Sequence, residues 1–157
     1  MERKRKRDPQ AALEAEVFVS LLRTADALAR GAEALIKPYG LSGTQYNILR
    51  ILRGAGEKGL ACSEVGGRLI SRDPDMTRLL DRMESRGLIA RARETDDRRV
   101  VKTRITPEGL RLLADLDEPV RQLHRRQLSH LPEKQLRLLS TLLDRAREPF
   151  EEAQSSD

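Results

Sequence analysis

One change of rhythm governs what this chain can fold into. Apolar residues recur every three or four positions along almost its whole length, and only between residues 88 and 105 does the period drop to two. Residues 88–93 (Leu-Ile-Ala-Arg-Ala-Arg) and 99–105 (Arg-Val-Val-Lys-Thr-Arg-Ile) flank the polar stretch Glu94-Thr95-Asp96-Asp97-Arg98. Valine, threonine and isoleucine are residues that strands prefer, so this segment predicts one β-hairpin with a charged tip, and no other strand. The expected fold class is mainly α with a single β-hairpin.

The helical rhythm surrounds that hairpin. Leu13, Val17, Leu21, Ala25, Leu28, Ala32 and Leu35 form a stripe, widened by Leu22, Ala29 and Ile36. It predicts one long helix over 12–37, stopped by Pro38 and Gly40. So wide a stripe on so long a helix is more than a small domain covers alone, and burial against a second copy is the expected solution. Ser42 reads as the cap of a helix carrying Tyr46, Ile48, Leu49, Ile51 and Leu52, broken by the glycines of 54–59. A short helix is expected over 62–69 with Val65, Leu69 and the Gly66-Gly67 pair. Asp73-Pro74 then reads as a cap followed by proline at the first helical position, opening a helix with Met76, Leu79, Leu80 and Met83 on one face and Gly87 at its end.

Beyond the hairpin, Thr106-Pro107 restarts a helix, with Gly109 where a full capping box would want glutamate. Its stripe of Leu110, Leu113, Leu116, Val120 and Leu123 passes Pro119, which should bend it near Asp115–Asp117. Pro132 starts a last helix with Leu136, Leu139, Leu142, Leu143 and Ala146 expected inward. Residues 1–11 read as a basic disordered arm and 151–157 as a polar tail.

Composition narrows the function classes. The chain is 35% charged and 38% hydrophobic with a mean hydropathy of −0.58, and its apolar runs fall far short of the roughly 20 residues that span a bilayer. No apolar segment follows the basic start, so neither a secretory signal nor a membrane partner is expected, and the expected location is the cytoplasm. Cys62 is the one cysteine, which excludes a disulfide framework or a cysteine-rich zinc site; it reads as a small packed hydrophobe. No cofactor is expected, and none of the glycine pairs matches a nucleotide-binding fingerprint. With no nucleophile–base pair in view either, the chain is not expected to be an enzyme.

Thirty Lys and Arg against 25 Asp and Glu give +5. The first eight residues carry +3 and the last ten −4, so the body between them carries +6, mostly as arginine. Arginine pairs with phosphate and guanine in a bidentate way that lysine cannot, so a polyanion, nucleic acid foremost, is the expected partner. The order short helix, turn, helix, hairpin over 62–105 is that of a winged helix-turn-helix, in which the second helix enters the major groove. If Met76, Leu79, Leu80 and Met83 face the core, Asp75, Thr77, Arg78 and Arg82 are turned outward, with Arg72 at the helix mouth. Arg78 and Arg82 then either meet DNA or pair with Asp75, Asp81 or Glu84 on a solvated face. Asp75 either accepts from a cytosine amine, holds an arginine, or stabilises the helix dipole. At the hairpin tip Arg98 and Arg99 suit a narrow minor groove, with Asp96 or Asp97 orienting a guanidinium.

The segment from Leu69 to Ile89 resembles the recognition-helix region of the MarR family of transcriptional regulators. Asp97-Arg98-Arg99-Val100 and Ile105-Thr106-Pro107-Glu108-Gly109 resemble that family's wing and the start of its next helix. The resemblance extends over 12–150. It implies a winged helix-turn-helix DNA-binding domain at 41–106 and a helical dimerisation region made of 12–40 and 107–150. It also implies a homodimer that binds pseudo-palindromic double-stranded operator DNA, as a repressor released by a small anionic or aromatic effector. By the same resemblance Asp97 and Arg98 fall in the family's aspartate–arginine wing element, and Asp75, Thr77 and Arg78 fall in the contacting part of the recognition helix. Phe18, Tyr39 and Tyr46 suit an effector cleft and a hydrophobic core equally well. The rival expectation is a non-enzymatic helical dimer serving as a protein adaptor or an architectural DNA-binding protein.

Overall fold

The computed structural model describes residues 8–70, 74–93 and 100–154. The chain divides into two compact units, Met1–Val120 and Arg121–Asp157. In the first, helix α1 runs Pro9–Ile36 and ends in a single 3-10 turn at Lys37–Tyr39. It starts four residues before its apolar stripe because the Asp8 carboxylate accepts the Gln10 N–H and Pro9 sits where its missing N–H costs nothing. Gly40 takes a φ of +69° to turn the chain into α2, Gly43–Ala55. The Ser42 hydroxyl accepts the Gln45 N–H while the Gln45 amide accepts the Ser42 N–H, a reciprocal capping box.

After α2 come β1, Leu60–Ala61; α3, Cys62–Gly67; α4, Met76–Ser85; β2, Ile89–Arg93; β3, Val101–Ile105; and α5, Pro107–Leu128. The hairpin β2–β3 is where the two-residue period put it, paired antiparallel from Ile89 opposite Ile105 to Arg93 opposite Val101. A third strand joins it: β1 lies on the other side of β3, with Leu60 opposite Thr103 and Ala61 opposite Lys102. Two residues are too few to show a period, so this strand exists only through its non-local partner. Pro74 is not the first residue of α4 but lies in a turn, and the helix begins at Met76. Asp73 falls outside the described residues.

The core of this unit is built from α1's last turn, all of α2's inner face and the stripes of α4 and α5. Ile48, Leu49, Leu52, Val65, Met83, Leu113 and Leu116 are completely buried. Tyr39 and Tyr46 pack half-buried against them, whereas Phe18 is exposed. Cys62 is exposed as well, contrary to its reading as a packed hydrophobe, because α3 buries Val65 alone.

The α4–β2 turn and the start of α5 are locked into one another. Gly87, at φ +70°, lets α4 end with Leu88 N–H bonded to the Met83 carbonyl and Gly87 N–H to that of Glu84, a Schellman closure. Thr106 then donates its N–H to the Leu88 carbonyl and its hydroxyl to the Gly87 carbonyl, while the same hydroxyl accepts the Gly109 N–H. This packs α5 so tightly that a Cβ at Gly109 would sit 2.3 Å from the Leu88 oxygen. The glycine that spoils the capping box is required by this close approach.

In the second unit, the end of α5 and helix α6, Glu133–Gln154, are joined by residues 129–132. Pro119 lies inside α5, which continues past it, though the ring removes the donor for the Asp115 carbonyl. In α6 the expected inward set is only partly realised. Leu136 and Leu143 are half-buried, but Leu139, Leu142 and Ala146 are exposed in the single chain, as is Leu138. Along α1, Leu13, Val17, Phe18 and Leu22 are likewise each half exposed or more.

Two substitutions test this packing. Gly109→Ala should lower stability by about 1–3 kcal/mol in urea unfolding, whereas Gly66→Ala, with nothing within 4 Å of the added Cβ, should leave stability unchanged or slightly raised. Thr103 is 1% exposed and its hydroxyl has no hydrogen-bond partner among the described residues. Thr103→Val should therefore raise stability by about 1 kcal/mol or more, since an unpaired buried hydroxyl costs about 1–3 kcal/mol.

Candidate nucleic-acid interface

α3 and α4 are held in their mutual orientation from several sides. The Glu64 carboxylate accepts the Ala61 N–H at 2.6 Å and starts α3; this bond and Lys102, 3.6 Å away, hold the Glu64 carboxyl below the usual carboxylate range. Asn47 of α2 accepts the Ile70 N–H at 3.2 Å, tying the turn after α3 back to the core helix. At the far end of α4, the Arg86 guanidinium donates to the Gly40 carbonyl at 2.6 Å. A bidentate pair between Arg53 and Asp117, at 2.8 and 2.9 Å, joins α2 to α5 and raises the Arg53 pKa, chiefly through the hydrogen bonds themselves.

α4 displays two faces. Leu79, Leu80 and Met83 are buried and Met76 is half-buried, while Asp75, Thr77, Arg78 and Arg82 are exposed. The outward set named from the sequence is thus brought together on one side of one helix. Asp75 occupies the cap position without any side-chain cap bond; its carboxylate instead lies 3.6 Å from Arg78, both side chains being exposed. The remaining residues named from the sequence, Arg72, Asp97, Arg98 and Arg99, lie outside the described residues.

Asp81 and Glu84 do not partner Arg78 or Arg82. Both carboxylates are taken by Arg91 of β2. Its guanidinium donates to Asp81 at 2.5 Å and to Glu84 at 2.6 and 2.9 Å, and its backbone N–H donates to the second Glu84 oxygen at 2.9 Å. The Arg91 guanidinium beside it holds the Glu84 carboxyl below the usual carboxylate range, first through the side-chain bonds and then through the Arg91 N–H. Glu84 in turn raises the Arg91 pKa. Sequence reading passed over Arg91, yet a signal was present. In a strand of period two, Arg91 is in phase with Ile89, which is buried, and a guanidinium on the inner face of a strand needs an acid within reach.

A model described as the MarR family matches residues 41–101. The chain is 30% identical over 127 residues, 81% of its own length and 75% of the relative's, to the HTH-type transcriptional repressor IacR of Pseudomonas putida. Among solved structures it is similar to a MarR transcription factor from Planctomyces limnophilus, at 40% identity and a TM-score of 0.65, covering 90% of this chain and 98% of that one. It shares its fold with a mutant MarR from E. coli complexed with operator DNA, at 22% identity and a TM-score of 0.75, covering 83% and 93% of the two chains. Among the described residues no helix is long and apolar enough to cross a membrane.

The Glu84 contact makes stability depend on pH in a defined direction. A carboxyl whose pKa is depressed by folding adds stability above its unfolded pKa, and that stability is lost as pH falls through the folded value. Glu84→Gln should therefore melt below the wild type at neutral pH, with the gap closing as both proteins are taken down through the carboxylate range. A gap that stays constant with pH would mean the ion pair contributes nothing.

Proposed function

Because the chain belongs to the MarR family of DNA-binding transcriptional regulators, we propose that it acts as a homodimeric repressor of a pseudo-palindromic operator. The observation that carries this reading is the divided face of α4, whose inner stripe is fixed in the core while Thr77, Arg78 and Arg82 stand exposed. In this reading α4 is the recognition helix. Arg72, Thr77 and Arg78 make the major-groove contact, with Arg82 beside them and Asp75 orienting Arg78. The wing, residues 94–99, places Arg98 and Arg99 in the minor groove, with Asp97 beside them. Residues 41–106 form the DNA-binding domain, and 12–40 with 107–150 the dimerisation region.

Two lines of support come from outside α4. Leu13, Val17 and Leu22 on α1 and Leu139 and Leu142 on α6 are exposed in the single chain, and apolar stripes of this kind are commonly covered by a partner. The repressor assignment draws on IacR, which is named a repressor, and operator binding on the E. coli MarR complex. Release by a small anionic or aromatic effector is part of the same reading. An open cleft lined by Glu33, Lys37, Leu41, Ser42 and Gly43 offers such a molecule one cation, Lys37.

The test begins with DNA selected by the purified protein from a random pool, titrated beside a scrambled duplex. Arg78→Ala should cost about 1–3 kcal/mol on the selected duplex and much less on the scrambled one, while Arg98→Ala should weaken both similarly and flatten the salt dependence. Equal loss on both duplexes would make Arg78 a phosphate contact rather than a base reader. In sedimentation the wild type should run at twice the 17.8 kDa chain mass, and Leu139→Glu should shift it towards monomer. Absence of binding to any duplex by a folded dimer would favour a protein adaptor instead, and equal salt-sensitive binding an architectural role.

A further inference from the structure

The DNA-facing side of α4 carries an acid at its centre. At about 100° per residue, Asp81 projects between Thr77 and Arg78, and Glu84 stands on the flank next to Thr77. From Asp75 to Arg86 the helix holds three acidic and three basic residues, so by itself it is neutral, although it must approach a dense row of phosphates. Both of these carboxylates are nonetheless occupied by one guanidinium that belongs to another element. Arg91 spans them with three side-chain hydrogen bonds, and its backbone N–H adds a fourth to Glu84. Its own side chain is only 25% exposed, whereas that of Asp81 is 53% exposed, so the pair turns an inner-strand cation towards the outer face of the helix.

We propose that Arg91 is a charge-masking clamp: by holding Asp81 and Glu84 it makes the recognition face of α4 acceptable to a polyanion. The proposal rests on the reading of α4 as the DNA-binding helix. It gives Arg91 no contact with DNA and makes it a positioning residue acting through the two carboxylates. It also gives β2 a task apart from carrying the hairpin tip, since the strand supplies the counter-charge that the recognition helix lacks. Two carboxylates left unmasked would face the phosphates and repel them, and the cost would be greatest at low salt, where such repulsion is least screened.

The experiment compares four proteins on one fluorescein-labelled random-sequence duplex across a salt series: wild type, Arg91→Gln, Asp81→Asn/Glu84→Gln, and the triple variant. Thermal melts of each run alongside. Masking requires that Arg91→Gln bind about tenfold more weakly at low salt, with a smaller deficit at high salt, and that the triple variant recover to within about twofold of wild type. It also requires that Asp81→Asn/Glu84→Gln, with Arg91 intact, bind as tightly as wild type or more tightly. A triple variant that remains as weak as Arg91→Gln would overturn the proposal and leave Arg91 a purely geometric brace, as would unchanged binding by Arg91→Gln. If Arg91→Gln does not fold, the Asp81→Asn/Glu84→Gln variant decides alone: tighter or equal binding supports masking, and weaker binding overturns it. Wild-type protein that binds neither this duplex nor selected DNA would refute the DNA reading itself, a different result from a failed rescue.

Discussion

A helix of ten residues does not hold itself together in water, so whatever α4 presents depends on the burial of Leu79, Leu80 and Met83 beneath it. Each of those side chains is at most 4% exposed, and each contributes about 1.5–3 kcal/mol by leaving water. The same three residues fix the rotation of the helix about its own axis. That rotation decides that Thr77, Arg78 and Arg82 stand outside, because side chains on a helix cannot be re-aimed independently of one another. The core of the first unit therefore acts as the mounting for the exposed face of α4.

Position along the axis is fixed by polar contacts rather than by packing. The Schellman closure at Gly87 ends α4 at a defined residue, Arg86 ties its last turn to the Gly40 carbonyl, and Thr106 binds the turn that follows to the start of α5. Arg91 adds a link from the sheet. The Arg86 and Thr106 bonds join groups 46 and 19 residues apart in sequence, and with the shorter-range bonds of Gly87 and Arg91 they make helix, strand and the next helix one piece.

The charge pattern has the same divided character. The chain is basic overall, but α4 is neutral over its own length, and the excess of arginine becomes useful only through its placement. Arg53 is committed to Asp117 and Arg86 to a carbonyl, while Arg91 is committed to the two acids of α4. Arg78 and Arg82 remain on the exposed face. Net charge alone would not have separated these roles, since burial and reach decide which guanidinium neutralises an internal acid and which one faces solvent.

By itself the sequence determined whatever depends on neighbours along the chain: the helical periods, the single change to period two, the Ser42 and Thr106 caps, and the outward set Asp75, Thr77, Arg78 and Arg82. These were legible because a helix face, a strand face and a cap are each defined within a few residues. The motif residues that resemble the MarR family were legible for the same reason. Tertiary structure decided the rest. Strand β1 exists only because Leu60 and Ala61 meet Thr103 and Lys102, and Gly109 is explained only by the Leu88 carbonyl pressed against it. Arg91 is paired only because Asp81 and Glu84 are folded to within bonding distance. Even the start of α4 moved from Pro74 to Met76, since a proline is compatible with either a turn or a first helical residue and the surrounding chain chooses between them. Local preferences are set by covalent neighbours, whereas pairing, close approach and charge neutralisation require groups that meet only when the chain has folded.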